Sequence, residues 1–377
     1  MSARFLHGCD VLVPGGRLAG HGVLLEGGRI AAVLPAGASP AAQRVALPPE
    51  CLLAPGLIDV QVNGGGGVLF NDTPSAEAAL AMAAAHRALG TTAILPTLIT
   101  SEPDCMRAAA AALAPAVTAG AGVAGIHFEG PFLSPARPGV HRADLIRAPA
   151  EDDLLLLEAL AGGPGRVVLT LAPECVAPAV QARLAAAGVI LCAGHSEADF
   201  AAVGGAIRGV THLFNAMPPP AARAPGLAAA ALLGDFYAGI IVDGIHVQVP
   251  MLRLLFGVKS AARIMLVSDA MSVAGTALDE FMLQGQRILR RDGRLQTEAG
   301  TLAGADLCLA QAVRNAVSLL GLDVAQAVAA ASAVPAAFLR LEHERGRIAP
   351  GLRADLVLFS AELEVAGTWV GGRWEPP

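Results

Sequence analysis

The chain has 377 residues, 54% of them hydrophobic, a mean hydropathy of +0.56 and a formal net charge of −6. That length accommodates one large domain and a small one, while an acidic balance with few aromatic residues argues against nucleic acid as a partner. The most apolar run, Leu227–Leu233, is too short to span a bilayer, and "MSARFLHGCDV" lacks a leader's apolar stretch, so the expected location is the cytoplasm, with no membrane partner.

In chain order, "VLVPGGRLAGHGVLLEGGRIAAVLP" alternates apolar segments with Gly-Gly turns and predicts a small β-structure. Eight apolar β-type runs follow, at 56–62, 92–98, 122–129, 166–172, 188–194, 209–215, 239–245 and 263–269. Ala/Leu/Arg-rich stretches such as "SAEAALAMAAAHRALG" fill the gaps with the spacing of amphipathic helices. Eight such α/β units predict a TIM-type (β/α)8 barrel. A doubly wound open sheet is the alternative, but no GxGxxG supports a dinucleotide site, and glycines 64–67 read as a flexible loop. "LQGQRILRRDGRLQT" predicts a hairpin turning at Asp292-Gly293, and helical segments run from Ala305 to Leu341. "GRIAPGLRADLVLFSAELEVAGTWVGGRWEPP" then returns to β-type sequence. The expected division is 1–53 and 345–377 for a small β domain built from both chain ends, with the barrel at 54–344. Six cysteines without a CxxC pair read as reduced thiols rather than a zinc knuckle.

Polar residues recur where these runs end. Gln61 and Asn63 close the first, Glu129 the third and Asp269 the eighth. His195 follows the fifth, His212 lies in the sixth, and Asp243 and His246 close the seventh. Active sites of this fold gather at the C-terminal ends of the strands. Glu129, His195 and His212 make a catalytic metal set with one coordination position left open; singly, each histidine would read as a hydrogen-bonded core residue. His127 shares a face with Glu129 and reads as core or support for it. Asp269 is either a helix N-cap or the general base of a hydrolytic site. His141, in "RPGVHRADL", could polarise a substrate carbonyl or be an ordinary loop histidine. Arg223, in "PPPAARAPGL", suits an oxyanion, although most loop arginines are simply solvated.

Together "PGLIDVQVNGGGG", "HFEGPFLSP", "GHS", "THLFNAMPP", "VDGIHV", "VSDAM" and "GRIAPGLRADLVLF", in this order, resemble the N-acetylglucosamine-6-phosphate deacetylases of the amidohydrolase superfamily. The resemblance runs nearly end to end. It implies a distorted (β/α)8 barrel with a β-sandwich from both chain ends, and a homodimer, which the apolar excess of the composition also favours. It places the metal ligands on Glu129, His195 and His212, and the catalytic aspartate on Asp269 beside His141. Substrate contacts fall on Gln61, Val140, His141, Asn215, Ala216, Arg223, His246, Leu302, Ala303 and Gly304. The implied reaction is deacetylation of an amino-sugar phosphate by metal-activated water. Other amidohydrolase activities, on the galactosamine isomer or as a cyclic-amide hydrolase or deaminase, and a non-catalytic binding scaffold are the competing readings. Gln61-Val62-Asn63 stands where many relatives carry an HxH pair, and the chain's one lysine, Lys259, lies ahead of the eighth strand. The expected cofactor is therefore one divalent metal per subunit, zinc first, with iron(II), cobalt(II) and manganese(II) as alternatives.

Overall fold

A computed structural model describes residues 3–376. Eight parallel strands form one sheet in sequential order: Leu57–Val62 (β1), Thr91–Ile99 (β2), Gly125–Glu129 (β3), Arg166–Leu171 (β4), Ile190–Ala193 (β5), Ile207–Val210 (β6), Tyr237–Ile240 (β7) and Ile264–Leu266 (β8). Each of the eight runs expected from the sequence overlaps one of these strands, but the sixth and seventh strands end at Val210 and Ile240, which leaves most of those two runs in the loops beyond them. The strands read as unbroken apolar runs because both faces are covered, by helices outside and packed side chains within. The helix Ala76–Ala88 is typical of the outer layer: Ser75 caps it by accepting from the Ala78 N–H, and Ala78, Ala79, Met82 and Ala83 are buried.

The ring is distorted at its seam. β1 and β8 form no ladder; they meet through a single parallel bridge, Val62 with Ala270, at their C-terminal ends. Asn63 N–H donates to Ala270 O at 2.8 Å, and Asp269 N–H to Gln61 O at 3.1 Å. Lower down, the Ile58 N–H turns instead to Ala331 O at 2.8 Å. The barrel thus closes only at its chemical end.

The two chain ends build the β-sandwich. A four-stranded sheet holds Arg29–Pro35, His21–Glu26, Arg4–His7 and Gln43–Ala46. In the six-stranded sheet, Leu52–Pro55 lies between N-terminal Asp10–Val13 and C-terminal Leu356–Phe359, so the last segment of the chain completes a sheet begun by the first. A separate core including Leu25, Leu53, Ile348, Leu356 and Trp369 holds the layers together.

An antiparallel sheet of Glu280–Leu283, Gln286–Arg291, Arg294–Thr297 and Leu302–Ala305 follows β8. Its central hairpin pairs Arg291 with Arg294 and turns at Asp292-Gly293, as the sequence predicts; φ of 51° and 71° at those two residues fits a type I′ turn. The expected flexible loop at 64–67 is instead a small hairpin, Gly64–Gly65 against Val68–Leu69. A Cβ on Gly64 would lie 2.5 Å from Val68 O, and one on Gly65 would lie 2.7 Å from His86 Nε2. These glycines serve close packing rather than mobility. All six cysteines are free thiols. Among the described residues no helix is long and apolar enough to cross a membrane.

Candidate active site

Glu129 is the last residue of β3, and its carboxylate collects side chains from three other strand ends. Its Oε1 lies 3.2 Å from His195 Nε2 and 2.9 Å from His212 Nε2, and those two nitrogens are 3.1 Å apart. One ligand atom from each of the three buried residues can be chosen so that all lie within 4.8 Å of one another. The donor set fits a cation. His195 Nδ1 donates to Arg137 O at 2.8 Å, so in the neutral ring Nε2 is a bare lone pair. It faces another imidazole nitrogen and a carboxylate oxygen, which is the arrangement of metal ligands and poor protein–protein hydrogen bonding.

His127 is not part of this set. Nδ1 lies 3.0 Å from Val60 O, and Nε2 lies 2.7 Å from Thr170 Oγ1. With both nitrogens engaged and burial pushing its pKa down to about 4, it is a neutral core histidine.

Asp269 stands beside the cluster, past the end of β8. Its Oδ1 accepts from Asn63 Nδ2 at 2.7 Å and Gln61 Nε2 at 3.2 Å, and the same Gln61 nitrogen donates to Glu129 Oε2 at 3.1 Å. Gln61 therefore spans the two carboxylates. Burial, followed by the nearby Glu129 charge, raises the Asp269 pKa to about 6. Asp269 is not an N-cap; no helix starts after it.

His141 packs on the cluster, its ring centroid 4.4 Å from that of His195. The Thr100 backbone N–H donates to His141 Nδ1 at 3.3 Å, and Thr100 Oγ1 is 2.8 Å from the same nitrogen. A backbone amide can only donate, so Nδ1 is an acceptor and the proton of the neutral ring sits on Nε2. Burial holds this imidazole well below its ordinary pKa. The loop before it passes so close that a Cβ on Gly139, at φ 58°, would sit 3.2 Å from His195 Cε1.

His212 lies beyond β6 rather than within it, and it begins a strained turn. His212, Phe214 and Ala216 have φ of 28°, 78° and 50°, and His195 and Asp269 share the sign at 47° and 51°. Left-handed backbone at residues with a Cβ is costly and gathers at functional sites. Asn215 Nδ2 is 3.2 Å from His212 O, and Ala216 O accepts from the Ser196 N–H, tying this turn to the segment after His195. His246 Nδ1 is 2.6 Å from Asp243 Oδ2, while Asp243 Oδ1 accepts the N–H groups of Ile245 and His246. Leu302, Ala303 and Gly304 lie on the strand beside Asp269: Ala305 N–H donates to Asp269 O, and a Cβ on Gly304 would come within 2.8 Å of that oxygen. Val140 packs on the same sheet with Leu69, Ile99, Met271 and Ala303. Arg223 is the exception. It sits in an exposed turn closed by an Ala221–Ala224 bridge and forms no hydrogen bond or ion pair with the other candidate residues.

Two supports were not singled out from sequence. Thr100 sets the tautomer of His141, and buried Asp59 accepts the Gln61 and Ser268 N–H groups across the seam. Asp59's place at alternate spacing before Gln61 and Asn63 was the available signal.

The model of the amidohydrolase family matches residues 52–374. An N-acetylgalactosamine-6-phosphate deacetylase of Shewanella sp. (strain ANA-3) is 41% identical over 326 residues, 85% of this chain and 82% of its own. The Haemophilus influenzae N-acetylglucosamine-6-phosphate deacetylase is 32% identical, over 86% of each chain. Among solved structures, the N-acetylglucosamine-6-phosphate deacetylase of Pasteurella multocida superposes with a TM-score of 0.95 at 33% identity over the whole of both chains. An aspartate-to-alanine mutant of the Mycobacterium smegmatis enzyme, in complex with N-acetyl-D-glucosamine-6-phosphate, gives a TM-score of 0.90 at 33% identity over 99% of both chains. The chain belongs to the amidohydrolase family.

Proposed function

We propose that the protein hydrolyses the acetamide of N-acetyl-D-glucosamine 6-phosphate, releasing acetate and D-glucosamine 6-phosphate. The observation that carries this reading is the convergence of Glu129, His195 and His212 beside a buried aspartate of raised pKa, in a chain similar along its length to deacetylases of such sugars. A divalent cation on the three ligands, one per chain and zinc in our reading, supplies the Lewis acidity that makes a water acidic near neutral pH and polarises the acetyl carbonyl. The family is metal-dependent, and Lys259 is no candidate for a bridging carboxylated lysine: its Nζ donates to Ala231 O and Gly234 O, at the end of the helix Gly226–Leu233.

The chain's own groups move the protons. Asp269 has Oδ1 held by two amides, which leaves Oδ2 to take a proton from the attacking water. His141, with its proton on Nε2, is the donor for the oxygen that becomes negative in the tetrahedral adduct. Asp269 then returns the proton to the departing amine, so one water is consumed and one amide bond broken. We assign sugar contacts to Val140, Asn215, Ala216, His246 and the strand Leu302–Gly304, and the phosphate to Arg223. Since phosphorylated sugars do not cross membranes unaided, we read the protein as a cytoplasmic enzyme, and as a homodimer.

The galactosamine isomer is the second reading, favoured by the 41% identity with the Shewanella deacetylase. Acetate release should be measured on both N-acetylhexosamine 6-phosphates and their unphosphorylated forms, using enzyme stripped by chelator and reloaded with about one equivalent of zinc. Activity on one phosphorylated isomer, absent after stripping and restored on reloading, is expected. No acetate from either phosphate would overturn the assignment, and a second equivalent needed for full activity would overturn the single-metal reading.

A further inference from the structure

Opposite the active site, at the N-terminal ends of the strands, two contiguous cavities open between barrel and sandwich. The larger, about 370 Å³, is lined by Arg29, Arg87, Arg353 and Arg373, with Gly27-Gly28 and Gly371 from sandwich turns and Ala119–Ala121 from the loop before β3. The smaller, about 190 Å³, shares Gly120, Glu344 and Arg353 and adds Arg166, at the start of β4, and Arg345. From Gly125 to Glu129 the strand spans about 13 Å at ~3.3 Å per residue, so this cleft is a barrel's depth from the catalytic cluster.

Its charge is out of keeping with the chain. The protein carries −6 overall, yet six guanidiniums line the cleft. The carboxylates within and behind it are already matched: Glu344 with Arg345 at 2.6 Å, Asp355 with Arg353 at 2.9 Å, and Glu375 with Arg87 at 3.9 Å. Arg29, Arg166 and Arg373 have no carboxylate partner among the described residues. Arg29 donates only to Gly351 O, and Arg166 to the carbonyls of Leu339 and Arg340. The Nε of buried Arg345 also lacks a partner. A Cβ on Gly371 would lie 3.2 Å from Arg353 Nη2, so glycine there leaves the guanidinium its place in the wall.

We infer that this cleft is a second anion site, separate from the catalytic one, that takes a small phosphorylated molecule. Concentrated, unneutralised guanidiniums suit a phosphate dianion, whose oxygens match the planar donor fork two at a time. The volume of this open cleft suits a compact metabolite rather than a polymer. The inference does not depend on which amide the active site cleaves.

Calorimetric titration of the metal-loaded enzyme with inorganic phosphate, then with glucosamine 6-phosphate, tests it. Arg373→Glu removes a partnerless side chain and should leave the fold intact; Arg29→Glu is the second variant, and Arg107→Glu, on an outer helix, the control. The two cleft variants should lose a phosphate-binding phase, with affinity falling on the order of tenfold or more, while the control keeps it. Melting temperatures without phosphate, and kcat/KM for deacetylation, should be unchanged in all three. If wild-type enzyme binds phosphate only in a phase that survives both cleft reversals, or binds none, the inference fails.

Discussion

Asp269 illustrates how a single side chain acquires its chemistry from its surroundings. Burial and the Glu129 charge lift its pKa to about 6, within range of a proton carrier near neutrality. Asn63 and Gln61 meanwhile fix one oxygen. Asp269→Asn keeps an oxygen for those amides but removes the proposed base. We expect kcat to fall by roughly 10²–10⁴-fold with metal content and melting temperature nearly unchanged; near wild-type turnover in the metal-loaded variant would remove Asp269 from the mechanism. The residue types of this site were legible in the sequence, because Glu129, His195, His212 and Asp269 interrupt apolar runs. Their backbone was not. The positive φ of His195, His212, Phe214, Ala216 and Asp269 occurs at non-glycine residues, where no local preference announces it and only tertiary contacts impose it. The tautomer of His141 depends likewise on Thr100, which is 41 positions away.

At the scale of elements, the eight strands were readable because strands covered on both faces leave no polar periodicity to confuse them. The seam was hidden. It depends on Asp59 of β1, whose Oδ1 accepts from Gln61 N–H at 3.2 Å and Ser268 N–H at 3.3 Å, while Oδ2 is buried without a partner. Burial raises this carboxyl from 3.8 to about 7. The native state therefore holds the proton more tightly than the unfolded chain does. Asp59's contribution to stability is fully present below pH ~4 and is lost as pH rises through ~7. Asparagine keeps an acceptor for both N–H groups and carries no charge at any pH. The stability of wild type relative to Asp59→Asn should accordingly fall between pH 4 and pH 8, by more than about 1 kcal/mol given ~1.4 kcal/mol per unit of pKa. Urea unfolding of both metal-loaded proteins across that range would reveal it, since metal binding titrates alike in each. Parallel curves would mean that Asp59 is ionised at the seam throughout.

For the whole molecule, the sequence conveyed that both ends share one small β-structure, but not what it encloses. The arginines of the polar cleft come from positions as far apart as 29 and 373, and no local pattern links them. Arg223 poses the opposite problem, a residue the sequence marked whose own chain leaves it solvent-exposed and without site contacts. Just after its turn, the helix Gly226–Leu233 ends in Leu233, 69% exposed, and the helix Val249–Val258 packed beside it presents Leu254 and Val258. This exposed apolar surface suits a subunit interface, and an arginine unengaged in its own chain fits a proposed homodimer in which it would reach the partner's substrate phosphate. In such a dimer each active site would draw its proposed base from one subunit and its proposed phosphate ligand from the other. Arg223→Ala and Asp269→Asn enzymes should each be deficient alone, the first mainly through a raised KM for phosphorylated substrate. Dissociated, mixed and reassembled in equal amounts, they should recover about a quarter of wild-type activity, because half of the random dimers are hybrids and each hybrid has one intact site. If the arginine serves its own chain, every hybrid keeps one defect in each site and mixing restores nothing, so the absence of recovery in demonstrably hybrid dimers would confine Arg223 to its own subunit.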